Sequence, residues 1–183
     1  VIARTIAAAI PNETALFVSS SRPIRDLEGF ATPRSGIAVY ANRGLAGIDG
    51  NISTALGIAY AHTSTIAVLG DLSFLHDLTG LVHKEAINCR FIVINNDGGG
   101  IFSTLPQRGV DGFESVFGTP HGLNPAAIAQ SMGLNAKQIN NLKDLEAEIK
   151  APINGISVVV CDVPDRETNA DNLKSIYESL SSI

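Results

Sequence analysis

The chain has 183 residues, of which 45% are hydrophobic and 17% are charged, so it can bury a core and is not a disordered segment. Its 13 Lys and Arg residues against 18 Asp and Glu residues give a formal net charge of −5. No basic stripe is available to bind nucleic-acid phosphates, so we expect no nucleic-acid partner. A mildly acidic chain can still bind an anionic ligand, because a bound metal ion supplies positive charge locally.

The two cysteines, Cys89 and Cys161, are far apart in the sequence and form neither a CxxC pair nor a disulfide framework. We expect both to be reduced, small hydrophobic side chains in a cytoplasmic protein. No apolar run approaches the roughly 18 residues of a membrane span. Residues 1–14 show no convincing signal-peptide cleavage site. Because the sequence starts at Val1, we expect a chain that begins inside a longer protein, and processing or removal of a tag is the alternative.

Short apolar runs alternate along the chain with helical patterns. The predicted strands cover residues 15–20, 36–40, 64–70, 90–96 and 156–163. The predicted helices cover residues 1–10, 23–29, 51–62, 75–87, 124–133, 142–150 and 168–182. The strands are almost continuously apolar, which is typical of parallel strands that are covered on both faces. The alternation predicts a doubly wound α/β domain over residues 1–183, with a mostly parallel sheet and helices on both of its faces.

Ligands of doubly wound folds bind outside the carboxyl ends of the strands, so the residues that follow each strand are site candidates. The third predicted strand ends at Gly70 and is followed by Asp71. The fourth ends at Asn96 and is followed by Asp97 and three glycines. If these strands are neighbours, Asp71 and Asn96 emerge side by side. They offer a carboxylate and an amide oxygen, which are ligands that Mg²⁺ or Ca²⁺ prefers. The glycines let the backbone approach closely, and one of their carbonyls could be a third ligand.

Each half of this pattern also has a purely structural interpretation, because Gly-Asp turns and glycine-rich loops are common. Asp71 and Asn96 are 25 residues apart, however, and both follow predicted strands. Together they resemble the thiamine diphosphate signature, in which GDG is followed some 25 residues later by NN or ND. Leu72 replaces the last glycine of that signature.

Four segments narrow the resemblance: NRGLAGIDGN (42–51), GDLSFLHD (70–77), NNDGGGIFSTLP (95–106) and FGTPHG (117–122). Together they resemble the cofactor-binding domain of the MenD family, the 2-succinyl-5-enolpyruvyl-6-hydroxy-3-cyclohexene-1-carboxylate synthases of menaquinone and phylloquinone biosynthesis. A GDL turn is usual in that family, so Leu72 supports this branch. The resemblance extends to about residue 165 and implies that the chain is the C-terminal thiamine diphosphate domain of a three-domain enzyme.

The resemblance implies cofactor-binding roles for residues at three strand ends: Ile48, Gly70, Asp71, Leu72, Ser73, Asn96 and Gly98. Asp71, Asn96 and the Gly98 carbonyl would hold Mg²⁺, or Mn²⁺, on the diphosphate. Backbone amides and the hydroxyl at Leu72 and Ser73 would contact the diphosphate, which suits the start of a helix. The isoleucine would hold the cofactor in its bent shape. Without the resemblance it is equally well interpreted as a core residue in a turn.

The resemblance also implies substrate-binding residues: Ser21, Arg25, Arg43, Ile101, Phe102 and Leu105. The family's substrates, 2-oxoglutarate and isochorismate, are dicarboxylates, and the planar guanidinium of arginine binds carboxylates through two hydrogen bonds. Alternatively, Arg25 pairs with Asp26 or with a neighbour on the surface, and the three apolar residues anchor a loop to the core. Arg22 matches no family position and is interpreted as a surface residue. His76 follows the diphosphate turn, but a structural role suits it better.

In the family, the glutamate that activates the cofactor belongs to an N-terminal pyrimidine-binding domain of a partner subunit, in a homodimer or homotetramer. We identify no such glutamate here, so we expect no catalytic residue in this chain and no turnover by it alone. Two alternatives stay open. One is another thiamine diphosphate enzyme, such as an acetolactate synthase or a 2-oxo acid decarboxylase, although a small uncharged acceptor gives no reason for two carboxylate-binding arginines. The other is a non-catalytic thiamine diphosphate-binding module.

Overall fold

The computed structural model describes residues 1–82 and 86–181. Its strands are β1 (Ala15–Val18), β2 (Ala38–Ala41), β3 (Thr65–Gly70), β4 (Cys89–Asn95), β5 (Asn135–Ile139) and β6 (Ile156–Asp162). They form one six-stranded sheet in the order β2-β1-β3-β4-β6-β5. Every pair of neighbours is parallel. The doubly wound α/β fold is therefore confirmed, with a sheet that is parallel throughout.

The α-helices are α1 (Ile2–Ala9), α2 (Arg22–Phe30), α3 (Asn51–Ala59), α4 (Asp71–His76), α5 (Pro125–Ser131), α6 (Leu142–Lys150) and α7 (Arg166–Ser181). Two 3₁₀ segments cover Leu78–Leu81 and Phe102–Thr104, and a π-helical turn covers Glu114–Gly118. Within the described ranges, no helix has both the length and the apolar character that crossing a membrane requires.

Successive strand residues point to opposite faces of the sheet, and each face is covered by helices. On one face, Phe17 and Phe91 are fully buried among residues of α3, α4 and α5. On the other face, Leu16 and Ile92 are buried among residues of α1, α2 and α6. Full burial of such side chains contributes roughly 1.5–3 kcal/mol each. The near-continuous apolar runs of the strands follow from this two-sided burial.

The helix predicted over residues 75–87 is wrong. Helix α4 begins earlier, at Asp71, and ends at His76, where Asp77 leaves the helical path. The Asp77 carboxylate instead accepts a hydrogen bond at 2.9 Å from the backbone N–H of Ser53, in the first turn of α3. A tertiary contact thus ends the helix. Part of that prediction, residues 83–85, lies outside the described residues, as does residue 182 of the last predicted helix.

Strand β5 was not predicted, because its sequence, NAKQI, is largely polar. It is an edge strand that pairs with β6, and of its five residues only Ala136 is buried. An edge strand with one solvated face does not need the apolar run that marks the central strands.

The strand order reverses beside β1, since the chain passes from β1 to β2 on one side and then to β3 on the other. Such a reversal opens a crevice outside the carboxyl ends of the strands that flank it. The segments that follow β1 and β3 therefore border a preformed crevice, and the segments that follow β2 and β4 lie on either side of it.

Candidate functional site

A cleft of about 400 Å³ opens at the carboxyl ends of β1, β2, β3 and β4. Strands β3 and β4 pair in register as far as Gly70 and Ile94, so the residues after them leave the sheet side by side. Every binding residue predicted from the sequence lines this cleft: Ser21, Arg25, Arg43, Ile48, Gly70, Asp71, Leu72, Ser73, Asn96, Gly98, Ile101, Phe102 and Leu105. The structure brings all of these residues together, and their individual binding roles stay predictions.

Asp71 is the first residue of α4 and lies at the base of the cleft with 2% of its surface exposed. Its Oδ1 atom accepts a hydrogen bond from the N–H of Leu72 at 2.7 Å. Its Oδ2 atom accepts from the N–H groups of Asn96 at 3.1 Å and Gly98 at 2.9 Å. A carboxylate also suits the positive end of the helix dipole. The Asp71 side chain is therefore held rigidly, and it joins the ends of β3 and β4.

Two further oxygen atoms, from the Asn96 side chain and the Gly98 carbonyl, lie close to this carboxylate. In one orientation of the Asn96 amide, Oδ1 lies 3.2 Å from Asp71 Oδ2 and 2.9 Å from the Gly98 carbonyl oxygen. Octahedral Mg²⁺ with bonds of ~2.1 Å places adjacent ligands ~3.0 Å apart, which matches this spacing. In the opposite orientation, the Asn96 amide nitrogen donates to both oxygens and satisfies them without a cation. The donor set thus fits Mg²⁺, and a half-turn of one amide distinguishes the two arrangements.

The candidate metal centre contains a single carboxylate. Over residues 1–82 and 86–181, no group of three or more His, Cys, Asp and Glu side chains is placed to hold a metal ion. A cation held by Asp71, Asn96 and the Gly98 carbonyl would therefore take its remaining oxygen ligands from water and from an anionic ligand. Phosphate oxygens are common partners of protein-bound Mg²⁺.

The glycine turn at residues 98–100 packs directly on a neighbouring backbone. Gly98 has a φ of +130°, a conformation that side chains disfavour. A Cβ atom on Gly98 or Gly99 would collide with the carbonyl oxygens of Gly118 and Phe117, respectively. The Gly99 N–H donates to Gly118 O at 2.7 Å. Only glycine therefore allows the turn that carries the third candidate ligand to lie against the segment at 117–119.

His121, which was not predicted as a site residue, contacts Asp71. Its Nε2 atom lies 3.3 Å from Asp71 Oδ2, and its side chain is 9% exposed. His76 is instead exposed at the end of α4 and does not line the cleft, in line with a structural role. The sequence did contain a signal for His121, since this residue belongs to FGTPHG, one of the four segments that carry the family resemblance.

Arg22 was interpreted as a surface residue, and this interpretation is wrong. It lines the cleft, its side chain is 23% exposed, and it forms an ion pair with Asp26. Burial raises the pKa of the Asp26 carboxyl, and the neighbouring Arg22 guanidinium opposes that rise. Arg25 does not pair with Asp26. Its Nη1 instead donates to the carbonyl of Ser21 at 2.7 Å, a neighbour on the surface, which is the other partner that the alternative interpretation allowed. Arg25 and Arg43 are both exposed on the rim.

Ser21 follows β1 and has a φ of +73°, which is unusual for a residue with a side chain. Such conformations cost roughly 1–3 kcal/mol and cluster at functional sites. The strain turns the chain sharply into α2, so that Ser21 and Arg25 reach the same cleft.

Ile48 lines the cleft in a loop that a buried side chain organises. Ile48 is 39% exposed, so it is not the core residue of the alternative interpretation. Asn51 is fully buried, and its Nδ2 donates to the carbonyls of Gly47 at 3.1 Å and Asp49 at 3.3 Å, on either side of Ile48. Sequence reasoning did not identify Asn51, because its partners are visible only in the folded loop.

The apolar side of the cleft is held by α7. The Phe102 ring packs against Phe117, with 5.4 Å between ring centroids. The buried Ser103 hydroxyl donates to Glu167 at 2.8 Å, and Arg108 Nε donates to the same carboxylate at 2.6 Å. The segment with Ile101, Phe102 and Leu105 therefore both lines the cleft and is anchored to the protein.

The family model described as "Thiamine pyrophosphate enzyme, C-terminal TPP binding domain" matches residues 25–163. Because this match covers most of the chain, the chain belongs to that family. Within the family, it is similar to curated 2-succinyl-5-enolpyruvyl-6-hydroxy-3-cyclohexene-1-carboxylate synthases, as the four motif segments predicted. The resemblance to the thiamine diphosphate domain of those enzymes is thereby confirmed.

The synthase of Thermobifida fusca (strain YX) is 45% identical over 152 residues, which are 79% of this chain and 28% of that protein. The synthase of Nocardia farcinica (strain IFM 10152) is 41% identical over 168 residues, 86% of this chain and 30% of that protein. The synthase of Staphylococcus haemolyticus (strain JCSC1435) is 39% identical over 178 residues, 95% of this chain and 31% of that protein. The chain thus spans less than a third of these relatives.

Solved structures show the same fold. A candidate thiamin diphosphate-dependent enzyme from Mycobacterium smegmatis superposes with a TM-score of 0.66 and 21% identity, over 90% of this chain and 31% of that one. Benzoylformate decarboxylase from Polynucleobacter necessarius superposes with a TM-score of 0.68 and 17% identity, over 89% of this chain and 32% of that one. At these identities the likeness concerns the fold alone.

Proposed function

We propose that residues 1–183 are the C-terminal, diphosphate-binding domain of a thiamine diphosphate-dependent synthase. The synthase would decarboxylate 2-oxoglutarate and add the succinyl unit to isochorismate. The product would be 2-succinyl-5-enolpyruvyl-6-hydroxy-3-cyclohexene-1-carboxylate. One observation carries the cofactor part of the proposal. In one orientation of the Asn96 amide, its oxygen lies 3.2 Å from Asp71 Oδ2 and 2.9 Å from the Gly98 carbonyl oxygen, at the base of the cleft, and these are the spacings of adjacent ligands around an octahedral cation.

When bound, thiamine diphosphate would supply the carbanion chemistry that the decarboxylation and the addition require. Asp71, Asn96 and the Gly98 carbonyl would hold Mg²⁺, whose charge offsets that of the diphosphate. The N–H groups of Leu72 and Ser73 lie in the first turn of α4, where backbone amides lack helical acceptors, and Ser73 adds a hydroxyl. Ile48 would support the cofactor from the neighbouring loop.

The substrate part of the proposal depends on the rim of the cleft. Arg25 follows β1 and Arg43 follows β2, and both guanidinium groups are exposed beside the cofactor residues. Dicarboxylates such as 2-oxoglutarate and isochorismate suit two such groups. Ser21 lies next to them, and Ile101, Phe102 and Leu105 offer apolar surface that excludes water. A small uncharged acceptor, as in an acetolactate synthase, would give these arginines no carboxylate to bind.

The proposal includes parts that lie beyond this chain. The activating glutamate would come from an N-terminal pyrimidine-binding domain of a partner subunit, in a cytoplasmic homodimer or homotetramer. The 183 residues alone should therefore show no turnover. Turnover of 2-oxoglutarate and isochorismate by this chain alone would contradict that expectation.

A chimera tests the whole proposal. The matching segment of the Thermobifida fusca relative is replaced by this chain, and product is measured with 2-oxoglutarate and isochorismate. We expect activity, and we expect its loss in the same chimera carrying Asp71→Asn. Pyruvate in place of 2-oxoglutarate is the control for an acetolactate synthase or a decarboxylase. An inactive, folded chimera whose inserted domain still binds thiamine diphosphate would instead favour a non-catalytic module.

A further inference from the structure

We propose that His121 is a positioning residue for the cation site, and that its Nε2–H group holds the Asp71 carboxylate in the orientation needed to bind Mg²⁺. This inference rests on the proposed function. It adds a residue from the segment at 117–123, which none of the predicted binding roles includes.

The contact is buried and lies away from the cleft. His121 Nε2 is 3.3 Å from Asp71 Oδ2, and the side chains are 9% and 3% exposed. Asp71 lines the cleft, whereas His121 does not. The histidine thus joins the N–H groups of Asn96 and Gly98 at Oδ2, from a position that does not line the cleft.

The hydrogen bonds of the ring assign its proton. The backbone N–H of Leu123 donates to His121 Nδ1 at 3.0 Å, whereas Asp97 Oδ1 lies farther from that atom, at 3.5 Å, so we assign Nδ1 as an acceptor without a proton. In a neutral imidazole the proton is then on Nε2, the atom that faces Asp71. Both ring nitrogens are engaged, which leaves no lone pair directed at a cation. His121 is therefore a support for a ligand and not a ligand itself.

The backbone around His121 is tied to the other side of the candidate metal centre. Asp97 Oδ1 accepts hydrogen bonds from the N–H groups of His121 at 3.0 Å and Gly122 at 2.8 Å. Asp97 lies between the two candidate ligands that follow β4. His121 thus connects the ligand at the end of β3 to the turn at the end of β4, and its loss should loosen their relative placement.

Groups that orient metal ligands typically contribute about 10- to 100-fold to metal affinity. Calorimetry of Mg²⁺ in the presence of thiamine diphosphate is compared for the Thermobifida fusca chimera that carries the unmodified chain, His121→Ala or His121→Gln. We expect about a 10- to 100-fold weaker Mg²⁺ affinity in His121→Ala. His121→Gln should recover most of it, because a glutamine amide can donate from a similar position. His76→Gln, in an exposed histidine, is the matched control and should change nothing.

Three results would overturn the inference. The first is unchanged Mg²⁺ affinity in the chimera with His121→Ala while the chimera with the unmodified chain binds normally, and this result leaves the proposed function standing. The second is absence of Mg²⁺ and thiamine diphosphate binding by the folded chimera with the unmodified chain, which removes the proposed function as well. The third is an NMR spectrum of ¹⁵N-labelled protein in which the His121 proton resides on Nδ1. If His121→Ala does not fold, His121→Gln and this spectrum decide the question.

Discussion

The carboxylate of Asp71, at the end of β3, accepts a hydrogen bond at 2.9 Å from the backbone N–H of Gly98, which follows β4. One candidate ligand therefore positions another, because the carbonyl of Gly98 is itself a candidate ligand. The two strand ends behave as a single unit, and a change at either residue should affect both.

In the full-length enzyme, Asp71→Ala should abolish Mg²⁺-dependent binding of thiamine diphosphate and leave the protein folded but less stable. The N–H groups of Asn96 and Gly98 would lose their buried acceptor, which costs about 1–3 kcal/mol. Calorimetry and urea unfolding measure the two effects. Asp71→Asn is the control, since it keeps an acceptor and should recover stability more than cation binding. Unchanged cofactor affinity in Asp71→Ala would contradict the metal assignment.

Gly98→Ala should destabilise the protein and weaken cation binding. Its φ of +130° is disfavoured for alanine, and the new methyl group would collide with the carbonyl of Gly118. We expect a loss of more than about 1 kcal/mol in the free energy of unfolding. Gly57→Ala is the control: Gly57 lies inside α3 with open space around it, so alanine should stabilise by roughly 0.5–1 kcal/mol. An unchanged free energy of unfolding in Gly98→Ala would show that the turn can move to accommodate the methyl group.

Arg90→Ala should destabilise the fold without affecting the candidate site. Arg90 is buried in β4, and its guanidinium donates to the carbonyls that end α6, including Ala151 at 2.9 Å and Pro152 at 3.0 Å. Loss of these bonds would cost about 2–4 kcal/mol, summed over two or more orphaned carbonyls. Denaturant unfolding measures the change, with Lys143→Ala as a control on α6. An unchanged denaturation midpoint in Arg90→Ala would mean that water replaces the guanidinium as a hydrogen-bond donor at no cost in stability.

The cysteines should make the protein less stable at alkaline pH. Burial raises the pKa of both thiols to about 12 from an ordinary value of 9.0. The unfolded state therefore loses its thiol protons at a lower pH than the folded state. The free energy of unfolding is unaffected by ionisation of the thiols below pH 9 and falls as the pH rises towards 12. Each thiol contributes a slope of about 1.4 kcal/mol per pH unit between these values. Unfolding of the unmodified chain and of Cys89→Ala/Cys161→Ala, compared from pH 8 to pH 11, should diverge accordingly. Parallel pH dependence of the two proteins would contradict this prediction.

The central strands and the positions of the site residues were predictable because both signals are local. Two-sided burial selects continuous apolar runs, and glycine, aspartate and asparagine directly after such runs mark the strand ends. Strand β5 was not predictable in this way, since an edge strand needs little apolar character. The end of α4 was not predictable either, because Asp77 accepts its hydrogen bond from Ser53, which is distant in sequence.

The sequence by itself determined the class of fold, the family and the set of residues that could surround a cofactor, because residue types at strand ends are read directly from the chain. Only the tertiary structure decided the strand order and the contact between His121 and Asp71. Those two residues are 50 positions apart, and they meet because the segment at 117–123 folds back onto the turn after β4. Contacts of this kind depend on how elements pack and leave no local pattern to read.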